Sequence, residues 1–247
     1  LRRQRQMCIR DRKEFIDNAI AARADGIIIS PINSERVRKA IDRAVDSGIP
    51  VVATNADIDG TKRTCCVGIN NRKAARIAGR LMGQFLGGTG KIAVVSSAIA
   101  SENNNYYVQV RETEFADFIH KEYPDIEIIT TLDSFEDPQI TYEKTVKLLR
   151  DYQDLQGIYI TCGGVSQVGR ALEESGRAKD IRVISFEDYP EVVDLIRKDV
   201  IDCTLAGELQ QQGEIPVQII MDYLVFGKEP EQQQIFTDIR VLVKESL

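Results

Sequence analysis

Asp25-Gly26-Ile27-Ile28-Ile29-Ser30-Pro31 decides how this chain is read. Gly26 to Ile29 is a short, unbroken apolar run, the pattern of a strand buried on both faces of a parallel sheet. Ser30 then places a polar group where the strand ends. Three distant stretches do the same work: Pro50-Val51-Val52-Ala53-Thr54-Asn55, Arg111-Glu112-Thr113-Glu114-Phe115 and Val183-Ile184-Ser185-Phe186-Glu187. Each ends a buried strand or opens a helix, and each offers a polar side chain there. Open parallel α/β sheets bind ligands outside the carboxyl ends of their strands. The spacing therefore predicts a binder of a small polar molecule rather than an enzyme.

Strands and helices alternate outward from that stretch. Phe15, Ile16, Ala19 and Ile20 share one helix face before it. After it, Ser34 is placed to cap a helix whose inner face is Val37, Ala40, Ile41, Ala44 and Val45, ended by Gly48. Strands are expected at 49–53, 65–69, 91–95, 126–129, 157–160, 181–186 and 203–206, with two short ones closing the chain. Asp137-Pro138 reads as a cap and first helical residue. Ile215, Ile219, Ile220, Tyr223 and Leu224 mark a last helix that stops at Gly227. Such alternation predicts an α/β protein with parallel sheets.

The chain has 247 residues and a net charge of −6, which argues against a general nucleic-acid surface. Six Lys/Arg against Asp11 give residues 1–13 a charge of +5, so residues 14–247 carry −11. That first stretch is expected to be a non-native or disordered arm. No apolar run approaches the ~20 residues of a membrane helix, so no membrane partner is expected. Cys8, Cys65, Cys66, Cys162 and Cys203 form no CxxC pair and read as free thiols in a reducing compartment. That favours the cytoplasm.

The strand ending Ile29-Ser30-Pro31, the segment Gly48-Ile49-Pro50-Val51-Val52, then Asn55-Ala56-Asp57-Ile58, Cys66-Val67-Gly68 and Gly90-Lys91-Ile92-Ala93-Val94 form an ordered set. With the tail Phe236 to Glu245 they resemble the ligand-binding fold shared by the LacI family of bacterial regulators and the periplasmic sugar-binding proteins. The resemblance covers residues 14–247. It implies a two-lobed, type I periplasmic-binding-protein-like fold, each lobe a parallel sheet flanked by helices. The N-terminal lobe is expected over 14–68 plus 207–231 and the C-terminal lobe over 69–206 plus 232–247. The family carries a strand, a helix and a second strand ahead of the helix at Glu14, so the N-terminal lobe is expected to be incomplete. The function implied first is the effector domain of a LacI-type regulator. Its ligand would be a sugar or sugar derivative held between the lobes, its assembly a homodimer, and its operator DNA would be met only by a helix-turn-helix head outside this chain. The alternative is an extracytoplasmic binding protein of a sugar ABC transporter.

Carried over residue by residue, the resemblance implies ligand contacts from Ser30, Asn55, Arg111, Cys162, Phe186, Glu187 and Glu208. Asn55 stands where sugar binders carry Asp, and Phe186-Glu187 replaces Phe-Asp, one methylene longer. Thr161-Cys162-Gly163-Gly164 stands where many relatives have Asn-Asp, and Gly207-Glu208 where they often place Gln. Arg111 offers a planar fork for two hydroxyls or a carboxylate, and Arg111→Ala is expected to weaken binding with little loss of fold. Local roles stay open beside these. Ser30 suits a turn, Glu187 a cap before Pro190, Glu208 a solvated surface and Cys162 a small buried hydrophobe.

Catalytic patterns fail on spacing. Gly87-Gly88-Thr89-Gly90-Lys91 lacks the Gly five residues before Gly-Lys, has Ile92 where Ser or Thr belongs, and precedes a strand instead of following one. His120, the single histidine, has no Cys or Asp cluster at metal spacing. No cofactor or metal is expected.

Overall fold

The computed structural model describes residues 2–97, 106–135 and 137–247. Its contacts divide the chain into two units, residues 1–70 with 207–238 and residues 71–206 with 239–247.

The first unit holds helix α1 (Arg2–Ala21), strand β1 (Ile27–Ile29), helix α2 (Glu35–Asp46) and strands β2 (Val51–Thr54) and β3 (Cys65–Ile69). The second unit holds α3 (Asn71–Phe85), β4 (Thr89–Ser96), α4 (Tyr106–Glu122), β5 (Asp125–Asp133), α5 (Pro138–Asp151), β6 (Leu155–Ile160), α6 (Val165–Ser175), β7 (Arg182–Phe186) and α7 (Pro190–Arg197). Strand β8 (Cys203–Gly207) brings the chain back to the first unit for α8 (Leu209–Phe226) and β9 (Gln234–Thr237). Strand β10 (Ile239–Leu242) ends in the second.

In the first unit the strand order is β1-β2-β3-β9, all parallel. Successive side chains of a strand face opposite ways. Val51 accordingly packs with Ile16, Val37, Ile41 and Ala44 of α1 and α2. Its neighbour Val52 packs with Cys65, Val67 and Ile215, Ile219 and Ile220 of α8. The caps are where the side-chain chemistry predicts them. Ser34 Oγ accepts the Val37 N–H at 3.2 Å, and Gly227 turns α8 off in the left-handed region at φ 62°. Two expectations are corrected here. Residues 234–237 belong to the first unit, because β9 pairs with β3 from Cys66↔Gln234 to Ile69↔Thr237. Residues 2–13, expected to be non-native or a disordered arm, are helical as the start of α1, which corrects the disorder alone.

The second sheet runs β10-β8-β7-β6-β4-β5. Strand β5 is longer than its apolar segment, because the shift between Ile92 and Ala93 lets it follow β4 as far as Ser96↔Asp133. Asp137 Oδ1 accepts the Ile140 N–H at 3.0 Å and starts α5 with Pro138 in its first turn. One core cluster gathers Val95, Ile158 and Ile160 from the strands with Leu148 of α5, Leu172 of α6 and Ile196 of α7. Cys65, Cys66, Cys162 and Cys203 are buried thiols outside any disulfide. Cys8 lies outside the side chains described.

Candidate functional site

At the carboxyl ends of β6 and β7 Arg111 draws buried polar groups together. Its residue is 4% exposed. It rises from the first half of α4 and its guanidinium reaches three other elements. Nε donates to Asn71 Oδ1 at the start of α3 (2.7 Å), Nη1 donates to the Thr161 carbonyl past β6 (3.1 Å), and Nη2 lies 3.7 Å from Glu187 Oε1 past β7. The same plane lies over the Phe186 ring, 3.8 Å from its centroid, with the Tyr107 ring at 5.4 Å. A planar cation between two rings retains a stacking interaction that a lysine would not reproduce.

Beneath this pair the floor is aromatic. Tyr159 stacks on Phe115 at 4.0 Å and meets Phe186 at 6.0 Å with a tilt of 57°. Its hydroxyl is buried with no hydrogen-bond partner, and burial pushes the phenol well above its ordinary range. Ser185 Oγ is buried in the same state.

Glu187 sits at φ 71°, a left-handed conformation that a glutamate rarely adopts. Two bonds hold it: its N–H donates to the Leu205 carbonyl (2.8 Å), and Thr204 Oγ1 donates to its own carbonyl (2.7 Å). The chain thereby turns at the end of β7, and the Glu187 carboxylate stays close to Arg111 instead of capping α7. Donors and acceptors, a guanidinium fork and a carboxylate, therefore stand side by side on an aromatic floor.

Of the seven residues expected to contact a ligand, Arg111, Phe186 and Glu187 come together here. Cys162 follows the Thr161 carbonyl that Arg111 uses. Its thiol turns toward Ser134 Oγ (3.4 Å) and the Gly163 carbonyl (3.3 Å), as a small buried side chain would. Ser30, Asn55 and Glu208 belong to the first unit. Ser30 and Asn55 end adjacent strands, since Ile29 pairs with Ala53. Asn55 is exposed and left-handed at φ 62°, with its N–H on the Val67 carbonyl at 2.9 Å. The Ser30 carbonyl accepts from Arg12 Nε at 3.1 Å. Glu208 caps α8 by position only, without a side-chain cap bond. The buried polar side chain there is Gln212, one turn on, with Oε1 unpartnered and its carbonyl accepting from Thr54 Oγ1 at 2.8 Å.

Sequence reasoning missed Asn71, Tyr107, Tyr159, the Thr161 carbonyl and Gln212. It also missed the buried pair in which Arg63 forks onto both oxygens of Asp57 and reaches the Gln233 carbonyl at 3.2 Å. That pair ties the loop after β2 to the entry of β9. Asp57 lay in a quoted motif, and Arg63 six residues on was the available signal.

Residues 9–229 match the periplasmic binding protein domain family, and the chain belongs to that family. Among solved structures it is similar to a sugar ABC transporter sugar-binding protein from Bacillus halodurans. That match has a TM-score of 0.86 and 28% identity, over 96% of this chain and 83% of the other. It is also similar to an arabinose binding protein from Geobacillus stearothermophilus, with a TM-score of 0.81 and 27% identity over 93% and 80%. Among curated proteins it is 22% identical over 224 residues to a D-apiose import binding protein of Paraburkholderia graminis, 90% of this chain and 70% of that protein.

Proposed function

We propose that this chain is the sugar-binding component of an uptake system, working outside the cytoplasm, and that it delivers its ligand to a membrane transporter. The observation that carries the reading is the Arg111–Glu187 pair on its aromatic floor. Each sugar hydroxyl is both donor and acceptor, so a fork of N–H groups beside a carboxylate can serve two neighbouring hydroxyls at once. A binding role needs no nucleophile or cofactor. Two of the relatives reported above are named for transport, the sugar ABC transporter sugar-binding protein and the D-apiose import binding protein. They favour the transport alternative over the effector domain of a LacI-type regulator, and with it a membrane transporter as partner over operator DNA and a regulator's homodimer. Among the described residues no helix is long and apolar enough to cross a membrane.

Thermal unfolding of the chain, with calorimetric titration of D-ribose, D-arabinose, D-xylose, D-glucose and D-galactose, tests this. A sugar at a hundredfold excess over its Kd stabilises by about 2.7 kcal/mol, or roughly 5–11 °C for a protein of this size. No shift and no heat with any of the five would refute the reading.

A further inference from the structure

Gly207, the last residue of β8, leaves room that a neighbouring amide occupies. A Cβ at this position would lie 2.4 Å from Gln212 Nε2 and 2.6 Å from Ile69 Cγ2. Gly207 is not among the left-handed glycines, so the position needs space and not backbone freedom. Gln212 is 6% exposed and is held by its backbone. Its N–H donates to the Glu208 carbonyl at 3.0 Å, and its carbonyl accepts from Thr54 Oγ1 at 2.8 Å. The first turn of α8 is thereby fixed to the end of β2, next to Asn55.

Thr54, Ile69 and Gly207 are the last residues of β2, β3 and β8, and Thr237, which pairs with Ile69, is the last of β9. All of them fall in the first unit with Gln212. The amide therefore lies among the carboxyl ends of strands, the place where parallel sheets take ligands. Two buried polar atoms at these strand ends lack a hydrogen-bond partner, Gln212 Oε1 and Thr237 Oγ1.

Packing does not call for a glutamine. Gln212 and Pro216, four residues apart on one helix face, are the buried residues of α8, and Pro216 is apolar. A buried amide oxygen without a donor destabilises the fold, and an apolar side chain of the same size would remove that cost. An amide kept at such a point suits a ligand that brings the donor. A sugar hydroxyl is such a donor, and it can accept from the amide N–H groups as well. We propose that Gln212 is a ligand-recognising residue of the first unit, its amide, seated in the room left by Gly207, taking a hydrogen bond from a sugar hydroxyl. The inference rests on the sugar-binding reading and adds a recognising group in the first unit to Arg111 and Glu187, which belong to the second.

The test is calorimetric titration of the five sugars named above into the full chain and its Gln212→Leu and Gln212→Met variants, with unfolding curves of each unliganded protein. Both variants keep the bulk and remove the amide, and Gln212→Met also avoids a branched side chain. Each should weaken the best-bound sugar by about tenfold or more, the size of one good hydrogen bond left unmade. The unliganded melting temperatures should equal that of the parent or exceed it, because a buried unpartnered oxygen has been removed. An affinity within about twofold of the parent in either variant overturns the proposal. So does a lost affinity accompanied by a melting temperature more than about 4 °C lower in both variants, which would make Gln212 a prop of the fold. If the parent chain binds none of the five, the sugar-binding reading itself has failed and this inference falls with it.

Discussion

Arg111→Ala should destabilise the second unit even without ligand. The expectation from sequence was little loss of fold, and the geometry reverses it. The side chain is 5% exposed and joins the start of α3, the end of β6 and the end of β7. Removing it strands the Thr161 carbonyl, which lies in a fully buried residue, and frees Asn71 Oδ1 and the Glu187 carboxylate. Hydrogen bonds to charged groups contribute about 1.5–3 kcal/mol each, and the stacking on Phe186 roughly 0.5–2 kcal/mol. Against this, the variant no longer keeps a guanidinium out of water, a saving of several kcal/mol per buried ion. The Glu187 contact is long and its carboxylate is 29% exposed, so it adds about 1 kcal/mol or less. The balance is a loss of about 2–4 kcal/mol, or roughly 4–16 °C in Tm for this size of protein. Calorimetry and urea unfolding of the unliganded chain measure it. Glu187→Gln alone should cost far less, and the double variant should fall short of additivity by the small pair energy. A shift below about 2 °C for Arg111→Ala would mean that the desolvation saving cancels the contacts, and the account of Arg111 as a tie between three elements would be wrong.

Two further perturbations probe the core and its thiols. Gly157→Ala would bring a Cβ to 2.7 Å from Met82 Sδ and 2.8 Å from Ile92 Cγ2, both fully buried, and should cost about 1–3 kcal/mol in urea unfolding. Gly213→Ala on the open side of α8, where a Cβ meets nothing within 4 Å, should instead stabilise by about 0.5–1 kcal/mol; equal effects of the two would refute the packing argument. Burial pushes the Cys66 and Cys203 thiols up from 9.0 to about 12, with smaller contributions from Asp57 and Asp202. Because the folded pKa is the higher one, this stability is intact below about pH 9 and is lost as pH climbs toward about 12, at up to ~1.4 kcal/mol per pH unit for each thiol. Urea midpoints that do not fall between pH 8 and 10.5, or native alkylation of these thiols at pH 8 as fast as in denaturant, would contradict it.

The alternation of strands and helices was legible because short apolar runs such as Gly26–Ile29 and Val51–Ala53 form parallel strands, and because Ser34, Asp137 and Gly227 mark helix ends by chemistry that acts locally; β1 is not buried on both faces as expected, since it is an edge strand and Ile28 is 42% exposed. The sheet that receives Gln234–Thr237 was not legible. A four-residue strand carries a facing pattern but nothing that names its neighbour, and only the pairing with Cys66–Ile69 decides it. The same limit divides the site. Phe186 and Glu187 could be named because they stand where a strand ends, and Arg111, sixth in α4, because of the family resemblance. The groups that hold them could not, since a backbone carbonyl such as that of Thr161 has no side-chain signature, and the left-handed turn at Glu187 follows from bonds to Thr204 and Leu205 on another strand.

That turn also sets how Glu187 meets Arg111. The Arg111 guanidinium is packed 3.8 Å from the Phe186 ring. At φ 71° the backbone bends as the chain leaves β7, and the longer side chain ends 3.7 Å from Arg111 Nη2, close enough to pair and too far for a hydrogen bond. A left-handed non-glycine residue costs of order 1–3 kcal/mol and persists only where its surroundings hold it. Here the surroundings are two backbone-directed bonds at 2.7 and 2.8 Å, at the residue that carries the acceptor. Conformation and side-chain length therefore act together, and the carboxylate meets the guanidinium as a loose ion pair.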